Sequence, residues 1–369
     1  MRIAVVYTGF SNYMADCWRA LSEREVEING RGRERVELKA WIEDFQQGAV
    51  AFNPDGVMHG LDYWWSSSEK LKNHGNGLRD AVVREIAVWK PDVIFVCGWS
   101  KELPPHVTAA KGLMDIPMVL EVDMPWEWRV RKFVARFMLW KRLRRFSAVF
   151  VPGRSTASYV RWLGFRNEQI FRGKFGVNVA DVGDRPKNEA RVKERNGFLF
   201  VGRLSPEKGI RELAFAYKKY RECHSHYSAA TSGIWPLDIY GMGSEAKWLE
   251  GVEGVTVHGF AQPDEIRAAY AKAGAFVIAS NWDPWPLVIL EACSAGLPII
   301  CTEHCWNRYE LLRENGIVVK CGDVNAMVNG MLSAERGELN GWSGRELAAE
   351  YSCEKWADRA LDICKAVIK

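Results

Sequence analysis

The chain lacks any hydrophobic run long enough to cross a bilayer, although 48% of its 369 residues are hydrophobic. A membrane-spanning helix needs about 20 consecutive apolar residues, and the apolar stretches here are much shorter. The start of the given sequence also predicts no signal peptide, because residues 3–7 read as a buried strand with no small-residue cleavage site after them. These two absences predict a cytoplasmic protein.

A strong net charge is also missing. The formal net charge is only +4, and no nucleic-acid-binding motif is recognisable. The nine cysteines are scattered without paired spacing, which favours reduced thiols over a disulfide framework. Cys301, His304 and Cys305 form the only cluster that suggests a metal, but no second pair stands at zinc-site spacing. We therefore predict neither a nucleic-acid partner nor a metal site.

What the chain does have is a regular alternation of apolar strands and amphipathic helices. Its length predicts two domains, because a single core rarely serves so many residues. The predicted strands of the first half lie at residues 3–7, 38–41, 93–96, 118–122 and 148–151. Those of the second half lie at residues 198–201, 237–240, 255–258, 275–279, 299–301 and 317–319. This βαβα order predicts two doubly wound parallel sheets.

The predicted domain boundaries follow a change in composition near the middle of the chain. We expect an N-terminal Rossmann-like domain over residues 1–183 and a polar, charged linker over residues 184–197. A second Rossmann-like domain should occupy residues 198–345. The last residues, 346–369, include apolar positions at helical spacing, which predict a closing helix that packs back on the N-terminal domain.

Two carboxylates, Asp283 and Glu291, stand with seven residues between them in the second half. The prolines at 284 and 286 predict the end of a strand and the start of a helix near Leu287, since proline is tolerated at a first helical position. Asp283 then lies in the loop and Glu291 on the helix. Because ligands bind at the carboxyl edge of open α/β sheets, we predict a ligand site there.

A loop at residues 201–209 supplies cations at the same kind of edge. It follows a predicted strand and places Arg203 and Lys208 near the flexible backbone of Gly202. Arginine offers a planar fork and lysine a point charge to phosphate oxygens, so together they could neutralise a diphosphate. The alternative is a solvated turn whose charges pair locally, including Glu207 with a neighbour.

Two further glycine loops follow predicted strands. Gly241 and Gly243 lack the third glycine of a dinucleotide-binding turn, and a tight strand-to-helix turn explains them equally well. Gly9 and Ser11 occupy the same kind of position after the first strand, where a ligand loop and an ordinary turn are equally good interpretations.

Together these motifs make the second half resemble the retaining glycosyltransferases of the GT4-type family, which have the GT-B fold. The resemblance runs almost continuously from residue 198 to residue 323 and implies two Rossmann-like doubly wound domains that face each other across a cleft. The residues that carry it are the loop 201–209, Gly241, Met242, Gly243, Gly259, Asp283, Glu291, Gly296, Leu297, Pro298, Glu310 and residues 315–319. The first half resembles the family only through its strand order and the segments 151–153 and 176–178.

The resemblance implies a role for each candidate residue. Asp283 would contact the donor sugar and Glu291 the ribose hydroxyls. Arg203 and Lys208 would stabilise the charge that develops on the diphosphate. The other donor-binding candidates are Gly202, Gly241, Trp285, Pro286 and Leu287. Asp123 would take the catalytic-face position where many relatives carry histidine, and the other candidates on the acceptor side are Gly9, Ser11 and Trp99.

The chain departs from the family pattern at several of these positions. Asp283 is one methylene shorter than the usual glutamate, and Pro286 stands where glycine is common. Cys305 and Trp306 replace the usual glycines before the loop that carries Glu310. The donor sugar or its depth in the site should therefore differ, and the backbone amides of that loop should approach the sugar less easily.

The resemblance implies a hexosyltransferase that moves a sugar from a nucleotide-diphosphate sugar to a glycan, lipid-linked or small-molecule acceptor, with retention of configuration, in cell-surface polysaccharide or glycoconjugate synthesis. No Asp-x-Asp motif occurs, so the metal bridge of other glycosyltransferase folds has no candidate, and we expect no metal and no cofactor. A glycoside hydrolase also uses paired carboxylates, but it has no diphosphate to hold. Two alternatives stay open: a nucleotide-sugar or glycan-binding protein without catalysis, and a nucleotide-sugar epimerase.

A basic and aromatic stretch spans residues 126–146. A helix of this composition can rest on an anionic membrane surface with its aromatic side chains at the lipid boundary. The protein would then be peripheral to the inner face of the membrane. The alternative is an ordinary surface helix, whose apolar stripe packs on the sheet and whose basic face is solvated.

Overall fold

The computed structural model describes residues 1–27, 33–44, 46–47, 50–51, 54–99, 101–127, 130–178, 195–227 and 233–368. Most of the predicted linker, residues 184–194, lies outside these ranges. The chain divides into two units, one formed by Met1–Asn178 with Ser352–Lys369 and the other by Val179–Tyr351. We call them the N-terminal and the C-terminal unit.

The N-terminal unit is built on a seven-stranded parallel sheet. The strands of this unit are β1 (Arg2–Tyr7), β2 (Glu25–Glu27), β3 (Arg33–Arg35), β4 (Glu37–Ile42), β5 (Gln46–Gln47), β6 (Val50–Ala51), β7 (Asp62–Trp65), β8 (Val93–Cys97), β9 (Met118–Glu121), β10 (Ala148–Val151) and β11 (Ile170–Arg172). The order across the sheet is β11-β10-β9-β8-β1-β4-β7, while β2 with β3 and β5 with β6 form separate antiparallel pairs.

The C-terminal unit is built on a six-stranded sheet, also parallel throughout. Its strands are β12 (Phe198–Val201), β13 (Leu237–Tyr240), β14 (Val255–Gly259), β15 (Ala275–Ile278), β16 (Ile299–Thr302) and β17 (Gly316–Val319). They run in the order β14-β13-β12-β15-β16-β17. Because all strands are parallel, the loops that follow them meet at one edge of the sheet.

Helices connect the strands of both sheets. They are α1 (Asn12–Ser22), α2 (Pro54–Val57), α3 (Ser68–Asn73), α4 (Gly75–Trp89), α5 (Leu103–Ala109), α6 (Val130–Leu143), α7 (Arg154–Leu163), α8 (Ile210–Tyr227), α9 (Pro263–Lys272), α10 (Leu287–Ser294), α11 (Arg308–Leu311), α12 (Val324–Glu335), α13 (Gly344–Ala349) and α14 (Cys353–Val367). Short 3-10 turns cover Lys111–Leu113, Asn167–Gln169, Pro206–Lys208, Ser244–Trp248 and Gly341–Ser343. In the described part of the chain, no helix combines the length and the apolar composition needed to cross a bilayer.

Both faces of the N-terminal sheet are buried, which is why its strands read as continuous apolar runs. Along β1, Tyr7 belongs to the core on one face and Val6 to the core on the other. Helices α1 and α14 cover the first face, where the rings of Trp18 and Trp356 meet edge to face with centroids 4.8 Å apart. The terminal helix therefore shares a core with the N-terminal sheet.

Every predicted strand is present with ends shifted by at most one residue, and the two parallel-sheet α/β units confirm the predicted fold class. In the two large sheets, the prediction missed β7 and β11, which are the two edges of the N-terminal sheet. It also missed the short antiparallel pairs β2 with β3 and β5 with β6. Edge strands are short and only partly covered, so they lack the apolar run that marks a central strand.

Candidate active site

Backbone hydrogen bonds join the loops at the carboxyl edge of the C-terminal sheet. The amide of Gly202 donates to the carbonyl of Tyr240 at 2.9 Å, and the amide of Gly241 donates to the carbonyl of Gly259 at 2.8 Å. A Cβ added to Gly241 would lie 1.8 Å from the Gly202 oxygen, so only glycine allows this approach. The Gly241 turn thus has a packing role, as the tight-turn interpretation expects.

An ion pair between Lys208 and Asp283 lies at the centre of this edge. Lys208 ends the 3-10 turn after β12, and Asp283 lies in the loop between β15 and α10. The ammonium of Lys208 donates to Oδ2 of Asp283, and the two side chains are only 15% and 9% exposed, respectively. The amide of Asn281 donates to the carbonyl of Glu207 at 2.8 Å, which holds the two loops together. Two predicted site residues that are far apart in sequence therefore touch.

The backbone of Asp283 is fixed on its other side by the loop after β16. The amide of Asp283 donates to the carbonyl of His304 at 3.0 Å, and the amide of Trp306 donates to the carbonyl of Asp283 at 3.1 Å. Cys305, between them, is fully buried. The Trp306 amide is thus engaged by protein, which limits its access to a ligand.

Glu291 lies on α10, which begins at Leu287 as the sequence predicts. Its side chain is buried, and the hydroxyl of Tyr270 on α9 donates to its Oε2 at 2.8 Å. The carbonyl of Pro286 accepts a hydrogen bond from Nδ2 of Asn307 at 2.8 Å, which ties the start of the helix to the neighbouring loop. Sequence reasoning missed Tyr270, because its link to Glu291 arises only from helix packing.

Arg203 and Trp285 lie apart from the ion pair of Lys208 with Asp283 in their side-chain contacts. The Arg203 side chain is 71% exposed and pairs with Glu207 at 3.1 Å, which is the local pairing of the alternative interpretation. A hydrogen bond from the Ser205 hydroxyl, at 2.7 Å, lowers the pKa of Glu207. The Trp285 ring is buried against Tyr351, with centroids 5.6 Å apart. The Trp285 side chain therefore supports the loop around Asp283 from the interior of the unit.

The acceptor-side candidates follow strands of the N-terminal sheet. Gly9 and Ser11 lie between β1 and α1, Trp99 follows β8, and Asp123 follows β9. The carboxylate of Asp123 is half exposed, and its Oδ2 lies 4.0 Å from Nζ of Lys174. All four residues thus belong to the carboxyl edge of this sheet.

A second buried ion pair, which the sequence analysis missed, lies beside Asp123. Nζ of Lys174 is 3.8 Å from Oε2 of Glu121, and the two side chains are 2% and 1% exposed. The Tyr7 hydroxyl donates to Oε1 of Glu121 at 2.6 Å. Burial raises the pKa of the Glu121 carboxyl above its usual range and that of the Cys97 thiol to about 12. A glutamate inside the apolar strand predicted at 118–122 was the available signal, because a buried charge needs a partner.

The comparison with protein families concerns the C-terminal unit. Residues 182–352 match the family model described as glycosyl transferases group 1. The C-terminal unit is therefore similar to this family over nearly all of its length. The bounds of the match nearly coincide with those of the unit, and all the donor-side candidates lie inside it.

The chain is also similar to curated glycosyltransferases, at 26–29% identity over part of its length. Glycogen synthase of Mycobacterium tuberculosis is 26% identical over 232 residues, which cover 58% of this chain and 52% of that protein. O-antigen chain mannosyltransferase B of Escherichia coli is 29% identical over 153 residues, which cover 41% of this chain and 38% of that protein. The chain thus spans about half the length, or less, of these two curated relatives.

Superposition on solved structures identifies the fold of the chain. The crystal structure of HepE from Anabaena in complex with UDP superposes on 99% of this chain and 100% of its own, with a TM-score of 0.71 and 14% identity. The two parallel-sheet units therefore have the GT-B architecture.

Proposed function

We propose that the chain is a retaining glycosyltransferase that moves a hexose from a nucleotide-diphosphate sugar to a glycan, lipid-linked or small-molecule acceptor in polysaccharide or glycoconjugate synthesis. The observation that carries the proposal is the ion pair of Lys208 with Asp283 at the loop edge of the unit that is similar to the group 1 family. The relatives named above support the class of reaction, and the presence of UDP in the HepE crystal supports a nucleotide-diphosphate donor.

In the proposed mechanism, Lys208 stabilises the leaving diphosphate. An ammonium group has three donors, so Lys208 can keep its bond to Asp283 while it also donates to a phosphate oxygen. Negative charge grows on that oxygen as the glycosidic bond breaks, and a fixed donor in a mostly buried site stabilises it. Arg203, whose side chain is 71% exposed, adds a second cation on the solvent side of this loop. Neither residue transfers a proton.

The two carboxylates hold other parts of the donor. Asp283 accepts hydrogen bonds from sugar hydroxyls, and its short side chain favours a sugar that approaches close to the loop. Glu291, oriented by Tyr270, accepts from the ribose hydroxyls. On the N-terminal unit, Asp123 keeps a half-exposed carboxylate beside Lys174 and is the candidate contact for the acceptor.

We propose that transfer needs no metal and no cofactor, because Lys208 and Arg203 supply the positive charge. Activity that Mg²⁺ does not raise, in the untreated or the chelator-treated protein, is the expected result. Activity that chelation removes and Mg²⁺ restores would contradict this part of the proposal.

A donor screen tests the function. Nucleotide sugars are ranked by thermal shift, since a ligand at 100 times its dissociation constant adds about 2.7 kcal/mol of stability. The best donor is then incubated with wild type and Asp283→Asn, and free nucleoside diphosphate is measured. Slow donor hydrolysis that Asp283→Asn abolishes supports a transferase. Tight binding without turnover would indicate a binding protein, and an epimerised donor without acceptor would indicate an epimerase.

We further propose a cytoplasmic location peripheral to the inner face of the membrane, through α6. Three apolar side chains of this helix are strongly exposed, with Val130 at 82%, Phe137 at 65% and Met138 at 78%. Exposed basic side chains at Arg136 and Lys141 lie on the same helix. Apolar groups flanked by cations are suited to an anionic bilayer surface.

Liposome flotation tests this location. Wild type should float with anionic vesicles at low salt and much less with neutral ones. The double variant Phe137→Ser with Met138→Ser should lose binding, while Phe260→Ser, which changes a side chain of 65% exposure in the other unit, should keep it. Equal flotation of all three proteins would contradict the membrane proposal.

A further inference from the structure

Three side chains with metal-ligand chemistry lie together at the carboxyl edge of the C-terminal sheet. Glu303 and His304 follow β16, and Cys321 follows the neighbouring strand β17. One ligand atom from each residue lies within 4.8 Å of the others, and all three residues are partly exposed. In the described part of the chain this is the one such group of His, Cys, Asp and Glu.

The sequence analysis predicted no metal site because it grouped His304 with Cys301 and Cys305. Both of these cysteines are fully buried, whereas His304 is partly exposed. The thiol that His304 meets belongs to Cys321, which is brought in by the parallel pairing of β16 with β17. Spacing along the chain could not reveal this partner.

The spacing of the ligand atoms fits a small tetrahedral ion. Sγ of Cys321 lies 3.1 Å from Nδ1 of His304. Around tetrahedral zinc, a nitrogen at about 2.0 Å and a sulfur at about 2.3 Å are about 3.5 Å apart. A shift of a few tenths of an ångström therefore opens the pair enough for an ion. The amide of Glu303 donates to the carbonyl of Val319 at 2.8 Å, which fixes the backbone of the third ligand beside the strand that Cys321 follows.

The type of ligand selects the metal. A thiolate and an imidazole favour zinc and disfavour magnesium and calcium, which prefer oxygen ligands only. In the metal-free protein, Nδ1 of His304 donates to the carbonyl oxygen of Asn281 at 2.8 Å. It becomes a ligand when the imidazole proton moves to Nε2 and the ring turns away from that carbonyl. Three protein ligands leave a fourth position for water.

We propose that Glu303, His304 and Cys321 bind one Zn²⁺, which braces the loop that presents Asp283. The bracing follows from the backbone, because the His304 carbonyl accepts the Asp283 amide at 3.0 Å. The ion holds the loop and takes no part in sugar transfer. A structural zinc ion is therefore compatible with a sugar transfer that needs no Mg²⁺. The proposal of this metal site does not depend on the function proposed above.

Cobalt and zinc titrations of the reduced, chelator-treated full-length protein test this site. We expect one Co²⁺ per chain, with a thiolate-to-cobalt charge-transfer absorption that one equivalent of Zn²⁺ removes. Cys321→Ser should abolish this absorption and weaken zinc binding at least tenfold. His304→Gln should also weaken zinc binding at least tenfold. Cys223→Ser, which removes another partly exposed thiol on α8, should change neither property.

Several results would overturn the proposal. One is a cobalt spectrum without a thiolate band, and another is a band that persists in Cys321→Ser. Zinc binding that is equally weakened by Cys223→Ser would show adventitious binding to free thiols. Circular dichroism confirms the fold of each variant, and His304→Gln gives an independent answer if Cys321→Ser does not fold. Because none of these readouts uses sugar transfer, their failure is distinguishable from failure of the proposed function.

Discussion

Each unit places a lysine against a carboxylate at the carboxyl edge of its parallel sheet, yet the two pairs differ in burial. Lys174 and Glu121 of the N-terminal unit are almost completely buried, at 2% and 1% exposure. The side chains of Lys208 and Asp283 in the C-terminal unit are 15% and 9% exposed. A pair of lysine and carboxylate thus lies deep inside the N-terminal unit, and a second such pair lies nearer to solvent in the C-terminal unit.

The difference in surroundings fits a structural role for the N-terminal pair and the ligand-binding role that we propose for the C-terminal pair. The N-terminal pair is enclosed by Tyr7, which bonds Glu121, and by Trp356, whose indole donates to the Lys174 carbonyl. Such a pair is costly to break, because the remaining charge stays buried without its partner. The C-terminal pair lies in loops and reaches solvent, so a phosphate can approach its ammonium. In the proposed function, the first pair serves the fold and the second binds the donor.

The largest expected effect is on stability. Lys174→Met should lower the free energy of unfolding by about 3–5 kcal/mol, because it leaves the Glu121 carboxylate buried without its cation. Equilibrium denaturation followed by tryptophan fluorescence measures this loss. The control Lys101→Met removes a lysine whose side chain is 40% exposed and pairs with Asp44 at 3.8 Å. Lys101→Met should lower the free energy of unfolding by only about 0–1 kcal/mol. Equal losses in the two variants would contradict the difference between the buried and the exposed pair.

The next effect is on catalysis. Lys208→Met should lower the transfer rate by about 10²–10³-fold, which is the usual loss when one preorganised donor to a developing charge is removed. Its stability loss should be smaller than that of Lys174→Met, because Asp283 still reaches solvent. Steady-state rates and denaturation curves are measured on the same preparations. A variant that unfolds easily but keeps its rate would reverse the assigned roles.

A smaller effect concerns the loops that present the C-terminal pair. Gly241→Ala should cost about 1–3 kcal/mol, because the added methyl group overlaps the Gly202 carbonyl and forces the backbone apart. Gly251→Ala is the control, since Gly251 also has a positive φ but no atom within 4 Å of its would-be Cβ. Thermal denaturation compares the two variants. A control as costly as Gly241→Ala would show that backbone conformation, and not the close approach, decides the loss.

The smallest effect is on donor affinity. Tyr270→Phe removes the hydrogen bond to Glu291 and should weaken donor binding about tenfold, with little change in turnover at saturating donor. Tyr217→Phe is the matched control, because that hydroxyl donates to the carbonyls of Trp235 and Gly254. Calorimetric titration of the donor measures both variants. An equal loss in the two would mean that Tyr270 acts through general packing.

The central strands of the two parallel sheets were predictable because buried parallel strands leave continuous apolar runs. The edges β7 and β11 lack such runs and were missed. Asp283 and Lys208 were predicted as separate contacts of one donor, but their direct ion pair depends on loop packing that spacing does not encode. The Lys174 and Glu121 pair was missed for the same reason, since its members come from distant segments of the chain.

The central claim, that Asp283 holds the sugar while Lys208 holds the diphosphate, is tested most directly by calorimetry on wild type and Asp283→Asn. Each protein is titrated with the best nucleotide sugar and with the matching nucleoside diphosphate. We expect Asp283→Asn to weaken the nucleotide sugar at least tenfold and to leave the nucleoside diphosphate unchanged or tighter, because Lys208 loses its competing carboxylate. Equal weakening of both ligands, or of neither, would contradict the account.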